Sequence, residues 1–389
     1  MTKKQTRLAL TGGAAAAEAL KHIDPDVMAV YPITPQTTII ETYAKFKADG
    51  EVTTEVIEVE SEHSAISACV GASAAGARTV TATSSQGLAL MHEILYIASG
   101  LRLPILLIDS ARALAAPLNI HGDHSDVMGA RDAGWIQIFS ENGQEAYDNT
   151  IIGLKLAEKV KLPVMVIMDG FNTSHTVENL QVLDRETVQK FLGEYTPEHS
   201  LLNVDDPVTY GALALQNTYF EFKIAQAEAM QQAFADYKKV VHDYDKISGR
   251  FYDYFETYRL DEAERVIVIM GSTAGTAKDV VDRLREQGEK VGLVKINLFR
   301  PFPHAELAGV LSHVKSVAVL ERAMSIGTYP PLYTEIVNTI SHIEKNRPAV
   351  SSYIYSLGGR EIYGKDIEKV FDDLAKGHIS REIKYIGSK

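Results

Sequence analysis

Between about residues 27 and 169 the chain alternates short apolar runs with helical patterns, and this alternation constrains its fold more than any other feature. Residues 27–30 are expected as a strand ending at Tyr31-Pro32. Residues 52–60, rich in β-branched side chains, form a second strand, after which Ser61 opens a helix over 62–77. A third strand at 79–83 leads through a turn at 84–87 into a helix at 88–98, and 104–108 and 164–168 are two more buried strands. Strands and helices alternating at this spacing imply a doubly wound parallel sheet. Ligands of such sheets sit beyond the carboxyl ends of the strands, so the residues just after each strand are the ones to inspect.

From about 205 to 261 the composition becomes polar and helical, with Ala227, Met230, Phe234, Tyr237, Val241 and Tyr244 recurring at steps of three and four. That stripe is expected to pack against another element. A second α/β unit begins at Arg265, with strands at 266–270, 291–296 and 317–320, a turn at 271–275 and an amphipathic helix at 276–287. The polar tail from Gly377 is expected to pack on a partner chain. Two units are therefore expected, 1–255 with a helical extension from about 205, and 256–389, in keeping with a length of 389 residues.

A formal net charge of -12 argues against nucleic acid and anionic membrane surfaces as partners. The single cysteine, Cys69, allows no internal disulfide and no cysteine-ligated cluster, and lies in a small-residue run that suggests a buried, inert thiol. Lys3, Lys4 and Arg7 precede an apolar stretch in the order of a signal peptide, but Gly12-Gly13 interrupts it and Glu18 closes it, so a helix is expected from Ala14. No segment has the 18 or so apolar residues of a membrane span, and a cytoplasmic location is expected.

Three stretches at strand ends carry candidate chemistry. In Tyr31-Pro32-Ile33-Thr34-Pro35 the two prolines hold the backbone extended around Thr34, which suits a fixed hydroxyl facing a ligand. It suits equally a plain strand-to-helix connection capped by Thr37 or Thr38. In Glu58-Val59-Glu60-Ser61-Glu62-His63, Ser61 is a natural N-cap and places Glu62 in the first turn of a small-residue helix, either at the mouth of a cleft or merely complementing the helix dipole. Arg112, beyond the apolar strand, has the planar fork that binds a carboxylate, and could instead pair with Asp109 or Asp123. Gly271-Ser272-Thr273-Ala274-Gly275-Thr276 follows a strand and opens a helix but is neither GxGxxG nor a P-loop. His121, Asp123 and His124 match no recurrent metal spacing, and an active-site loop is the better reading.

Taken in order, Tyr31-Pro32-Ile33-Thr34-Pro35, Glu60-Ser61-Glu62-His63-Ser64-Ala65, Thr83-Ser84-Ser85-Gln86-Gly87-Leu88-Ala89-Leu90-Met91 and Ala111-Arg112-Ala113-Leu114-Ala115-Ala116-Pro117 resemble the alpha subunit of pyruvate:ferredoxin oxidoreductase. Arg131-Asp132-Ala133-Gly134-Trp135, Glu141-Asn142-Gly143-Gln144-Glu145-Ala146, Met270-Gly271-Ser272, Arg300-Pro301-Phe302-Pro303 and Leu357-Gly358-Gly359-Arg360 extend the resemblance over nearly the whole chain.

The resemblance implies a thiamine-diphosphate-binding domain of the pyrimidine type followed by a transketolase C-terminal-like α/β domain. It implies oxidative decarboxylation of a 2-oxoacid with coenzyme A to an acyl-CoA and CO2, with electrons passed to ferredoxin. Pyruvate is the default substrate, with 2-oxoisovalerate or an aryl-glyoxylate as competitors and a non-catalytic assembly subunit as the rival reading. Thiamine diphosphate is shared with a beta subunit, while Mg2+ and [4Fe-4S] clusters belong to partner subunits and none to this chain. Beta, gamma and usually delta subunits complete the complex. The sequence contains no Gly-Asp-Gly followed by a distant Asn for a Mg-diphosphate. By resemblance Glu62 hydrogen-bonds the aminopyrimidine ring and promotes loss of the thiazolium C2 proton, Pro32 and Thr34 lie beside the reacting centre with Thr34 bonding substrate, and Arg112 faces the substrate carboxylate. The loop from Asn119 to His124 varies within the family and leaves substrate choice open.

Overall fold

The alternation seen in the sequence becomes the middle of a seven-stranded sheet in the computed structural model, which describes residues 5–380 and 382–389. Lys3 and Lys4, part of the basic run considered above, lie outside the described residues. The chain begins with β1 (Thr6–Thr11), α1 (Gly12–Ile23), β2 (Val27–Val30), α2 (Thr37–Ala48), β3 (Glu55–Glu58), α3 (Glu62–Ala74), β4 (Thr79–Thr83) and α4 (Gln86–Gly100). It continues through β5 (Ile105–Ala111), α5 (Ser125–Gly129), β6 (Ile136–Ser140), α6 (Gly143–Val160), β7 (Val164–Asp169), α7 (Asn172–His175), β8 (Val177–Val182), α8 (Arg185–Leu192) and the long α9 (Tyr219–Ser248). The second half holds β9 (Phe255–Tyr258), β10 (Arg265–Ile269), α10 (Thr273–Glu286), β11 (Val291–Ile296), β12 (Leu298–Arg300), α11 (His304–Leu311) and β13 (Ser316–Glu321). It ends with α12 (Pro331–Ser341), β14 (Ala349–Tyr355), a 3-10 turn at Leu357–Gly359, α13 (Gly364–Ala375) and β15 (Lys384–Ile386).

The first sheet runs β12-β6-β7-β5-β4-β2-β3, parallel throughout except for β12, which pairs antiparallel with β6. Every residue of β4, β5 and β7 is buried, as expected for central strands covered on both faces. One face packs on α1, α6 and α9 and the other on α3, α4 and α5. The second sheet runs β15-β14-β13-β10-β11-β9, with only β9 antiparallel. Its inner face, including Val266, Val268 and Val294, joins the core that Leu95, Trp135 and Phe139 contribute from the first.

Several elements depart from expectation. The apolar stripe of α9 is buried at Tyr237, Val241 and Tyr244, half-buried at Met230 and Phe234 and exposed at Ala227, because only its carboxyl-terminal half lies on α6. Strand β6, too short and too mixed to stand out in the sequence, lies between β12 and β7, and the pair β1–β8 forms a separate two-stranded sheet. Within the tail, β15 pairs parallel with β14 and extends the second sheet. Cys69 is fully buried, and burial pushes its thiol up to about 12, so it is inert at neutral pH. Among the described residues no helix is long and apolar enough to cross a membrane.

Candidate active site

The carboxyl ends of β2, β3, β4 and β5 lie side by side, because these strands are neighbours and parallel. After β2, Gln36 is fully buried and its amide donates to the carbonyls of Tyr31 (2.9 Å) and Ala82 (3.0 Å), tying the proline-flanked turn to β4. This turn leaves Pro32 and Thr34 exposed. The alternative role for Thr37 or Thr38 as a side-chain cap is not realised: Gln36 occupies the N-cap position of α2 and no side chain caps it.

After β3, Ser61 caps α3 by accepting from the Ser64 amide at 3.2 Å, which fixes Glu62 at the first helical position. The Glu62 side chain is 6% exposed, yet its carboxylate makes no hydrogen bond or ion pair with any described residue. Opposite it, Gly87 leaves room that no other residue could: a Cβ there would lie 2.8 Å from Glu62 Oε1 and 2.4 Å from Thr83 Oγ1. The hydroxyl of Thr83 is buried and without a partner as well.

The turn that carries Gly87 contains Ser85 at φ +53°, a conformation that costs a non-glycine residue roughly 1–3 kcal/mol. Bonds on both sides hold it: its amide donates to Asp126 at 2.7 Å and its hydroxyl to the Ala113 carbonyl at 2.6 Å. After β5, Arg112 is 6% exposed, and its guanidinium donates to the carbonyls of Thr34 (2.9 Å) and Asn119 (3.1 Å). It makes no ion pair with Asp109 or Asp123, the alternative the sequence left open, and Nη2 has no bond to a described residue. Burial lowers the guanidinium pKa, with Asp126 opposing. The structure thus joins Arg112 to Thr34 directly. Glu62 has no hydrogen bond to Pro32, Thr34 or Arg112 and reaches the same edge through Gly87.

Farther along the sheet the strand ends are saturated. Asp169, ending β7, takes His124 Nε2 at 2.6 Å, Arg322 Nη1 at 2.7 Å, and the amide (2.8 Å) and hydroxyl (2.5 Å) of Ser272. Burial alone would raise its pKa, but Arg322 and then His124 hold it well below the usual carboxylate range. Gly271, at φ +73°, is required here because a Cβ would lie 2.7 Å from Asp169 Oδ1. The Gly271–Thr276 motif therefore grips a carboxylate of the first unit and is not a phosphate loop. His121, Asp123 and His124 do not converge on a metal either: His121 packs on Phe171, Asp123 accepts from Gly358 and His124 faces Asp169. The one acidic group with metal-like spacing among the described residues, Glu141, Glu145 and Glu256, surrounds the ammonium of the buried Lys295. Gln36, Asp126, Asp169 and Arg322 escaped the sequence reading, since neither spacing nor composition marks them; for Asp169 the only signal was its place at a strand end.

A thiamine-diphosphate-binding α/β domain coupled to a second α/β unit is the class that this fold defines. Residues 18–242 match the family "Pyruvate flavodoxin/ferredoxin oxidoreductase, thiamine diP-bdg", and residues 263–367 match "Pyruvate:ferredoxin oxidoreductase core domain II". The chain belongs to the pyruvate:ferredoxin oxidoreductase family. It is 51% identical to pyruvate synthase subunit PorA of Thermotoga maritima over 100% of this chain and 99% of that protein. It is 44% identical to ketoisovalerate oxidoreductase subunit VorA of Pyrococcus furiosus over 98% of both. In fold it is similar to the 2-oxoglutarate:ferredoxin oxidoreductase of Magnetococcus marinus, solved with 2-oxoglutarate, coenzyme A and succinyl-CoA bound (TM-score 0.73, 23% identity), covering 97% of this chain and 66% of that one.

Proposed function

We propose that this chain is the alpha subunit of a 2-oxoacid:ferredoxin oxidoreductase acting on pyruvate, converting it with coenzyme A to acetyl-CoA and CO2 while two electrons pass to ferredoxin. The observation that carries this reading is Glu62, a buried carboxylate with no hydrogen bond or ion pair to a described residue, packed into the place where a side chain on Gly87 would lie. A buried charge persists only when something answers it, and an aminopyrimidine ring nitrogen is a fitting answer. The residues present therefore fit the pyrimidine end of thiamine diphosphate, with Glu62 and the turn from Pro32 to Thr34 holding it. When bound, that cofactor supplies the electron sink for decarboxylation.

The protein's own contribution follows from the geometry. Glu62 holds a proton at the ring nitrogen. Arg112, oriented by the Thr34 and Asn119 carbonyls, keeps Nη2 for the substrate carboxylate. Thr34, its backbone anchored by Arg112, offers an exposed hydroxyl to the substrate. In this reading the diphosphate, its Mg2+ and the [4Fe-4S] clusters are carried by beta, gamma and delta subunits in the cytoplasm, and the two units of the chain divide near residue 255. Co-purifying the assembled complex and assaying ferredoxin reduction over a panel of 2-oxoacids tests the proposal: pyruvate should give the highest kcat/KM, and a complex inert to every 2-oxoacid would refute it. A second substrate, 2-oxoisovalerate, is favoured by the 44% identity to the ketoisovalerate subunit.

A further inference from the structure

Beneath the site lies a carboxyl pair for which the proposed chemistry has no use. Asp109 and Asp126 are 0% and 3% exposed. Asp126 accepts three backbone amides: Ser85 (2.7 Å) and Arg112 (2.9 Å) on Oδ2, and Val127 (2.8 Å) on Oδ1. Those amides belong to the ends of β4 and β5 and the start of α5, so one side chain ties the turn carrying Gly87 to the residue carrying the guanidinium. Asp109 is placed differently. Both of its oxygens are buried without a donor. Its register partners on β4 and β7 are Thr83 and Ile167, neither of which brings a charge.

The Asp109 carboxyl meets the Asp126 side chain and no other polar group, and two buried carboxyls in contact do not both ionise. Three N–H donors mark Asp126 as the anion, and a carboxyl with no donor of its own has to be the acid, so the proton belongs on Asp109 and points to Asp126. We propose that Asp109 and Asp126 form one singly protonated carboxyl pair, and that this pair is the positioning device that sets Arg112 and the Ser85–Gly87 turn against Glu62. The charged groups facing the pair are Asp123, from the loop before α5, and the Arg112 guanidinium; Asp123 adds negative charge and so helps to retain the proton. Burial, followed by the charge of Asp126, pushes the Asp109 carboxyl well above the usual range; burial also raises Asp126 to about 7, while the amides of Arg112 and Ser85 lower it, so the proton is held more firmly on Asp109.

The consequence is a pH dependence. The pair works while it holds one proton, so its grip on Arg112 should fail on the alkaline side, when the second charge appears. The inference rests on the function proposed above, and its test uses the assembled complex with variants Asp126→Asn, Asp109→Leu and Asp109→Asn. Asp126→Asn places an amide N–H among backbone donors, and Asp109→Leu removes the acid. Each should raise KM for the 2-oxoacid by about tenfold or more, the scale on which a small misplacement of an anchoring group acts. Asp109→Asn keeps a neutral donor and should recover most of the loss caused by leucine, while abolishing the alkaline rise in KM shown by the unaltered complex. Infrared spectra give a readout that needs neither turnover nor substrate: the carbonyl band of a buried protonated carboxylic acid should be present at neutral pH and missing in Asp109→Asn. A complex inert toward all 2-oxoacids would refute the function while leaving this band to judge the pair. Wild-type KM in Asp126→Asn, equal behaviour of Asp109→Leu and Asp109→Asn at every pH, or no such band would overturn the proposal.

Discussion

Glu62 and Asp169 occupy the same kind of place and live different lives. Both are buried carboxylates at or just beyond the carboxyl ends of parallel strands in one sheet, Glu62 after β3 and Asp169 ending β7. Asp169 is surrounded by an arginine, a histidine, a hydroxyl and an amide, three of the four donors coming from loops that follow strands of the second unit or pack on them. Glu62 packs against Gly87 and has no hydrogen bond or ion pair to a described residue. Position at a strand end therefore marks a residue for inspection, and the count of its partners separates a bolt between two units from a carboxylate that the described residues leave unanswered.

The largest expected effect falls on the saturated side. Asp169→Asn removes the charge that answers the fully buried Arg322 and should cost roughly 3–5 kcal/mol of stability, seen as a large drop in Tm. Because the folded-state pKa of Asp169 is depressed, its contribution is present at neutral pH and fades as pH falls below the ordinary aspartate range. The wild type should thus lose stability in acid more steeply than Asp169→Asn does. A variant with unchanged Tm and the same acid slope would erase the distinction drawn between the two carboxylates.

On the open side the effect should appear in turnover. Glu62→Gln retains size and one hydrogen bond but removes the charge, and the complex should assemble, carry thiamine diphosphate and lose on the order of 10²-fold or more in 2-oxoacid-dependent ferredoxin reduction. Exchange of the cofactor's C2 proton, followed by NMR after acid quench, should slow in parallel. If Glu62 only complements the helix dipole, glutamine costs at most about 1 kcal/mol of stability and turnover stays intact.

A smaller change sharpens the role of Arg112. Arg112→Lys keeps the charge but loses the fork that bonds the Thr34 and Asn119 carbonyls and, in the proposed role, the substrate, so KM for the 2-oxoacid should rise by about tenfold while cofactor affinity changes little. An unchanged KM would leave Arg112 as a brace for two carbonyls.

The smallest effect concerns a third buried carboxyl at a strand end. Glu321, ending β13, accepts the amides of Leu332 and Tyr333, and burial pushes it from 4.5 up to about 8. Its folded-state pKa is raised, so its contribution is full below the unfolded value and is lost as pH climbs toward 8. Glu321→Gln should flatten that part of the Tm–pH curve, a difference in slope of about 1 kcal/mol per pH unit. Parallel curves for the two proteins would show that Glu321 stays ionised throughout.

The sequence by itself determined the doubly wound sheet, the second α/β unit, the cap that fixes Glu62 and the presence of Thr34 and Arg112 at strand ends. These features are local: hydrophobic period, β-branched runs, an N-cap serine and proline restraint act within a few residues of each other. Only the tertiary structure decided what each polar group meets. Asp126 is 41 residues from Ser85 and Asp169 is 153 from Arg322 along the chain, separations at which no periodicity links them. The same holds for β6, whose second neighbour, β12, comes from the far half of the chain. A carboxylate left without a partner is legible only after every potential donor has been placed around it, because satisfaction of a buried charge is a property of the packed molecule and not of any segment.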